Sequence, residues 1–337
     1  MKIKITLLAI LTVGCIFLAN PIFAVDSTTN DISRLTTDAL TAYKTGNYDV
    51  AVNDFTRLIQ LHETDAYLGR GMAYGKKMQY EQGIADLTEA IWRRPSEIAF
   101  KSRGNIYARQ NDHVNAAADY SEAIKLNPTN ADLYELRAIE FLCQKNFDAA
   151  YIDCNTALLF LADIAETNQM VVDVYLNRAL ALREKNEKER SLADFNKVLQ
   201  LEPQNGIALT CRGVLFMRSG KYDNALKDFK DSIRFKPDEG QAYNNIALIQ
   251  CACPDEKYRD GHEAITNAKE ACRLCQWKDP VCIETLAASY AEIGSFVQAV
   301  RWEQRAIESG LKGKELKESK DRLELYEQKK PFRINNE

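Results

Sequence analysis

Histidine is scarce: His62, His113 and His262 are the only three in 337 residues. A metal site rich in imidazole, or a hydrolase driven by a His base, therefore starts with few parts. A basic excess is also missing, since 44 Lys and Arg stand against 48 Asp and Glu, net −4, with the two signs interleaved. Broad phosphate binding wants a basic face, so nucleic acid is excluded as the main partner. No G-x-S-x-G, H-E-x-x-H or calcium-loop pattern occurs. The stretch Gly71-Met72-Ala73-Tyr74-Gly75-Lys76-Lys77 has three residues between its glycines, where a phosphate loop needs about four. Lys77 also stands where a hydroxyl should meet Mg²⁺. Paired carboxylates occur only as expected on solvated helix faces. Nothing here demands an enzyme, a cofactor or a metal. At 46% hydrophobic and 27% charged, the composition is that of a globular protein.

Long apolar runs are absent after the first 24 residues. Within them, Lys2 and Lys4 precede an uncharged apolar run from Ile5 to Leu18, then Pro21 and Ala24. A charged start, a short greasy core and a small residue at the end form the pattern of a cleavable export signal. The run falls short of the ~20 residues that span a bilayer. We expect residues 1–24 to be removed after Ala24, with Ile22 and Ala24 in the recognition positions. An uncleaved anchor is the alternative. A lipid attached at Cys15 is rejected, because Thr12 stands where such sites want an aliphatic residue and the greasy stretch 16–23 would remain. Removal of two lysines leaves 42 basic against 48 acidic residues, and no stable membrane insertion is expected afterwards.

Regular self-similarity fills the rest. The small residues Gly71, Gly104, Ala138, Ala179 and Gly213 are followed three positions on by Tyr74, Tyr107, Phe141, Leu182 and Phe216. Twelve positions after each small residue come Gly83, Ala116, Ala150, Ser191 and Ala225, and four beyond those Leu87, Tyr120, Cys154, Phe195 and Phe229. Pro95, Pro128, Pro203 and Pro237 close several units. Small residues sit where helix backbones approach, and large ones fill the gaps between them. The period near 34 is what two packed antiparallel helices require.

This pattern resembles the tetratricopeptide repeat family over nearly the whole chain after residue 31. Repeats start near Ile32, Thr64, Glu97, Ala131, Val172, Gly206, Gly240 and Pro280, at spacings of 32, 33, 34, 41, 34, 34 and 40 residues. The two long spacings place insertions near Asn168 and near Asp255. The resemblance implies an all-α, right-handed superhelical solenoid of about eight helix-pair repeats, spanning 32–313 after a short linker at 25–31. Each unit buries its apolar face only against its neighbours, so the ends need caps. Residues 314–337 are expected to supply a capping helix, with Leu316, Leu323 and Tyr326 as its apolar stripe, and a tail beginning at Pro331. The last two repeats, about 240–313, carry Cys253-Pro254-Asp255, Tyr258-Arg259-Asp260-Gly261, Trp277-Lys278-Asp279-Pro280 and Thr285-Leu286-Ala287-Ala288. With Arg322-Leu323-Glu324-Leu325-Tyr326 and Lys330-Pro331-Phe332-Arg333, these are similar to a terminal module of bacterial members. The module implies no reaction.

One basic and one acidic position recur. Arg70, Arg103, Arg137, Arg178 and Arg212 precede the small residue, and Asp54, Asp86, Asp119, Asp153, Asp194 and Asp228 lie on the second helices. A catalytic role would not need copies, so a structural ladder of Arg–Asp pairs is expected. Pairing within a repeat strands Asp54, and pairing between repeats strands Asp228.

Eight cysteines follow the signal, five of them between Cys251 and Cys282. Three roles are open. Disulfides could lock the seventh repeat to the eighth, with Cys253, Cys272, Cys275 and Cys282 as members. Unpaired burial suits Cys154 and Cys211. A thiol or zinc site could use Cys251, Cys253, Cys272 and Cys275 with His262.

On the family's geometry, the inner face presents Leu68, Met72, Lys101, Asn105, Arg109, Glu135, Ile139, Leu142, Leu176, Leu180, Arg183, Thr210, Val214, Met217, Asn244 and Leu248. Some members clamp a partner's C-terminal carboxylate with Lys and Asn from adjacent repeats. Lys101 and Asn105 match half of that clamp, but Asp132 and Leu136 stand where the other half belongs. An extended or helical segment with apolar anchors is the expected ligand. The resemblance thus implies a non-enzymatic scaffold of the bacterial cell envelope that binds a protein or peptide of unknown identity. A thiol or zinc protein centred on Cys251 to Cys282 is the alternative, and a purely structural envelope subunit is a third.

Overall fold

The structure is a computed structural model and describes residues 27–162 and 169–334. The expected signal at 1–24 and the insertion near Asn168 lie outside the described residues. Among the described residues the regular elements are α-helices and one short 3₁₀ turn, with no strand.

Two compact units divide the chain, at Met1–Ile164 and Ala165–Glu337. In the first, α1 (Ser27–Lys44) pairs with α2 (Tyr48–Gln60), and α3 (Ala66–Lys76) pairs with α4 (Tyr80–Arg93). Then α5 (Glu97–Arg109) pairs with α6 (His113–Leu126), and α7 (Ala131–Cys143) with α8 (Phe147–Phe160). In the second unit the pairs are α9 (Gln169–Glu184) with α10 (Lys188–Leu201) and α11 (Gly206–Arg218) with α12 (Tyr222–Phe235). These are followed by α13 (Gly240–Ala252) with α14 (Gly261–Leu274), and α15 (Pro280–Glu292) with α16 (Phe296–Glu308). A last helix, α17 (Gly313–Glu327), caps the second unit. Seven of the eight repeat starts agree with the sequence within a few residues. The first helix begins at Ser27, so most of the expected linker at 25–31 is helical.

A shared backbone device makes each pair turn. One residue adopts a left-handed conformation after the first helix: Gly46, Met78, Asn111, Lys145, Asn186, Gly220 and Gly294, with φ from 59° to 82°. The next amide then reaches back to the helix, as from Asn47 to Ala42, Gln79 to Tyr74 and Asp112 to Tyr107, at 2.8–2.9 Å. This closure satisfies carbonyls that a helix end leaves free. Only α13 ends otherwise. Cys253 is extended before Pro254, and a 3₁₀ turn, η1 (Glu256–Tyr258), occupies the insertion near Asp255. Side-chain oxygens of Ser96, Asp112, Asn146 and Asn205 start later helices by accepting from amides three residues on.

The small-and-large pattern is the packing itself. A Cβ on Gly104 would lie 2.7 Å from the Tyr120 ring, and one on Gly213 would lie 2.6 Å from the Phe229 ring. Ala138, Ala179, Cys154 and Phe195 are fully buried. Gly71 packs against Leu87 and Asp86, which accounts for the glycine that opened the faint phosphate-loop pattern. Each large core side chain contributes about 1.5–3 kcal/mol by leaving water. No helix among the described residues is long and apolar enough to cross a membrane.

Candidate protein-interaction face

The recurring charges meet within each repeat. Arg70 donates from Nε and Nη2 to both carboxylate oxygens of Asp86, at 2.7 and 2.8 Å. The same two-pronged bond joins Arg103 to Asp119, Arg137 to Asp153, Arg178 to Asp194 and Arg212 to Asp228. All five aspartates are buried and their arginines nearly so. The remaining nitrogen crosses to the second helix of the preceding repeat, where Thr56, Thr88, Ser121 and Asn196 accept from Arg70, Arg103, Arg137 and Arg212. Aromatic rings cover the guanidinium planes, as Tyr67 and Tyr74 do for Arg70 and Tyr134 and Phe141 do for Arg137. The bond to Asp86 holds the Arg70 guanidinium even more firmly protonated than usual, and Asp119 does the same for Arg103. Asp54 is outside the ladder because Asp38 occupies the place of its arginine; Arg57 lies 3.6 Å away instead.

The ladder removes most of the charge from the repeat interior and leaves the first-helix positions to define a surface. Met72, Ile139, Leu142, Leu176, Leu180, Val214, Met217 and Leu248 are half-buried, each keeping an outer edge. Leu176 and Leu180 pack on the α9–α11 core, and Val214 and Met217 pack on the α12–α13 core. Three expected members are corrected: Leu68, Thr210 and Asn244 are buried and present nothing to a ligand. Leu68 fills the core shared by α3, α4 and α5, and Thr210 shares a hydrogen bond with Ser232 at 2.9 Å.

The half-clamp is turned inward as well. Lys101 forms a close ion pair with Asp132, the residue that replaces the second clamp lysine. The Asn105 side-chain oxygen accepts from Tyr120 Oη at 2.8 Å. Arg109 lies 3.5 Å from the Gly75 carbonyl and Arg183 pairs with Glu184. Beside them, His113 Nδ1 lies 2.6 Å from Glu140, a buried carboxylate that helical spacing alone did not single out.

A second set of surface residues escaped the sequence argument. Trp92, Val114, Ile152 and Leu159 are exposed on α4, α6 and α8. The available signal was in α8, which spreads apolar residues over its faces and carries no basic residue.

The cysteines follow a different plan from the one expected. Among the described residues none of the eight thiols is joined in a disulfide, so the four named for disulfides form none in this structure. Cys253 packs beside Phe229 and Ile246, whereas Cys272, Cys275 and Cys282 share a cluster with Trp277 and Trp302. Cys154 is buried among apolar side chains, as expected, and Cys211 receives Arg183 Nη1 at 3.2 Å. Burial pushes the Cys251 and Cys272 thiols up to about 12. Among the described residues no group of three or more His, Cys, Asp and Glu is placed to hold a metal ion. His262 is exposed and gives only its amide to the Asp260 cap.

The terminal motifs hold the end of the second unit together. Arg259 donates to the Cys253 carbonyl at 2.9 Å and to Glu292 at 2.9 Å. Arg333 bonds the other Glu292 oxygen at 2.7 Å, and the Ile334 amide reaches the Ala252 carbonyl at 2.9 Å. Asp260 and Asp279 cap α14 and α15. Arg322 pairs with both Glu284 and Glu303, and Ser319 donates to Glu303 at 2.8 Å. Burial raises the fully buried Glu303 to about 7 despite Arg322.

Stacked helix pairs, a repeated small-residue seam and an internal Arg–Asp ladder define a helical-repeat protein. The sequence matches the tetratricopeptide repeat family over residues 98–130 and again over 176–240. Those two stretches carry tetratricopeptide repeats. The chain is similar to human tetratricopeptide repeat protein 6, at 26% identity over 218 residues, 62% of this chain and 40% of that protein. The chain thus spans less than half of that relative's length. Among solved structures it resembles the Cut9–Hcn1 hetero-tetramer of the APC/C, with a TM-score of 0.60 at 12% identity, covering 89% of this chain and 57% of that one. It also resembles the C-terminal part of a repeat protein from Cytophaga hutchinsonii, with a TM-score of 0.54 at 19% identity, covering 74% and 98%. At these identities the structural likeness establishes the fold.

Proposed function

We propose that this chain is a non-enzymatic scaffold, exported to the bacterial cell envelope, that holds a protein or peptide against the face of its first helices. One observation carries the reading: the recurring charges are consumed by the ladder, while recurring apolar side chains on the first helices keep an outer edge. A ligand segment gains affinity from a row of such edges more readily than from any single pocket. Arg109 and Arg183 supply charge near the apolar positions. Export is supported by the pattern at residues 1–24 and is tested by fractionating cells; recovery in the cytoplasm alone would contradict it, and N-terminal sequencing of envelope protein separates cleavage after Ala24 from an uncleaved anchor beginning at Met1.

Binding is tested by a pull-down from envelope extract with residues 25–337. A variant combining Met72→Asp, Ile139→Asp, Leu180→Asp and Val214→Asp runs beside it, with circular dichroism confirming that both are helical. The expected result is a partner held by the first and lost by the second. A partner retained by both would remove the first-helix face from the account.

A further inference from the structure

The turn between α14 and α15 concentrates features that the repeat does not require. Gln276 and Trp277 are consecutive non-glycine residues with φ of 55° and 61°, a conformation costly for bulky side chains. Trp277 is held there by stacking on Trp302, with ring centroids 5.4 Å apart, and Arg305 lies over both rings. Thiols flank this turn. Cys275 caps α14 and is half-buried; Cys282 lies in the first turn of α15 and is buried. Both pack in one cluster with Cys272, Trp277 and Trp302. Cys275 Sγ also lies 3.2 Å from the Cys272 carbonyl, and Cys282 Sγ donates to Asp279 Oδ2 at 3.6 Å. Asp279 is itself fixed by its other oxygen, which accepts from the Val281 amide at 3.0 Å.

We propose that Cys275 is a peroxide-reactive thiol resolved by Cys282, so that a hydroperoxide closes the turn into a Cys275–Cys282 disulfide. Accessibility selects the first residue, because Cys272 and Cys282 are buried whereas Cys275 is only half-buried. The Cys275 thiol gives up its proton as its sulfur attacks one peroxide oxygen; the O–O bond breaks, Cys275 becomes a sulfenic acid, and the other oxygen takes up that proton and leaves as water or alcohol. The Cys282 sulfur then attacks the Cys275 sulfur, forming S–S and breaking S–O. Its proton passes to Asp279 and on to the departing hydroxide, which leaves as a second water. The two sulfurs together lose two electrons and the peroxide gains them. The product ties the seventh repeat to the eighth beside the Trp pair. The inference stands independently of what the first-helix face binds.

The test treats the reduced full chain with hydrogen peroxide, alkylates the remaining thiols with maleimide, and maps the peptides. The account expects a linked Cys275–Cys282 peptide, intact mass lower by two hydrogens before alkylation, and tryptophan emission that falls and is restored by dithiothreitol. In Cys282→Ser, Cys275 should accumulate as a sulfenic acid trapped by dimedone. In Asp279→Asn, which keeps a capping oxygen, the disulfide should form more slowly. Maleimide on both cysteines after peroxide, linkage of Cys275 to Cys272, or linkage between two chains would overturn the proposal. Mapping of the unmutated chain decides the matter even where a variant fails to fold.

Discussion

Asp119 is buried with both oxygens committed to Arg103, and that arginine also bonds Thr88 of the preceding repeat. Asp119→Ala leaves a mostly buried guanidinium without its counter-charge, which should lower stability by about 3 kcal/mol. Asp38→Ala, at an exposed position on α1, should change it by less than about 0.5 kcal/mol. Urea unfolding of the two variants checks the contrast, and equal losses would remove the ladder as a source of stability. Glu303 behaves differently, because Glu284 competes for the same Arg322 and one cation faces a buried and a half-buried carboxyl. The other groups around it are Ser319 and Tyr326, with Cys251 beyond Tyr326 and Glu315 beyond Glu284. Its folded-state value of about 7 lies above the ordinary 4.5, so the native state holds the extra proton between those two values. Stability of the second unit should therefore fall as pH rises through that window and level off above it. Glu303→Gln removes the titration and leaves Arg322 with Glu284. Its melting temperature should exceed that of the native chain above pH 7 and lose the slope below it. An unchanged slope would show that Glu303 titrates as an ordinary carboxyl.

Helix pairs depend on the left-handed residue that closes each first helix. Glycine fills that place in three repeats, but Met78 and Lys145 bear a side chain there at φ of 60° and 59°. Met78→Gly and Lys145→Gly remove the Cβ conflict while keeping the closing amide bonds, and each should raise stability by about 1 kcal/mol. Thermal unfolding reads the effect, and a loss would mean that the side chains contribute more than the strain removes. These boundaries were legible in the sequence, because a period near 34 repeats small and large residues at fixed offsets and the backbone has one way of packing them. Which partner each ladder arginine takes was not legible. Counting stranded aspartates left two pairings open, and a guanidinium has enough donors to bond Asp86 in its own repeat and Thr56 in the one before. Depth was hidden for a similar reason. Helical spacing put Leu68, Thr210 and Asn244 on the same stripe as Met72 and Val214, yet neighbouring helices cover the first three. Cysteine spacing likewise grouped Cys253 with Cys272, Cys275 and Cys282, although the extended step at Cys253-Pro254 sends its side chain into a separate core.

At the scale of the molecule, each unit is a stack in which a pair buries its apolar face only against its neighbours, and α17 covers the final one. Such a stack places its first helices side by side, so a surface of several repeats can contact one extended ligand without any residue being indispensable. The most direct measurement is hydrogen exchange on the chain alone and with its captured partner. The account predicts added protection in α5, α7, α9 and α11, the helices that carry Lys101, Ile139, Leu180 and Val214. Protection confined to α4, α6 and α8, around Trp92, Val114 and Leu159, with the first helices unchanged, would contradict it.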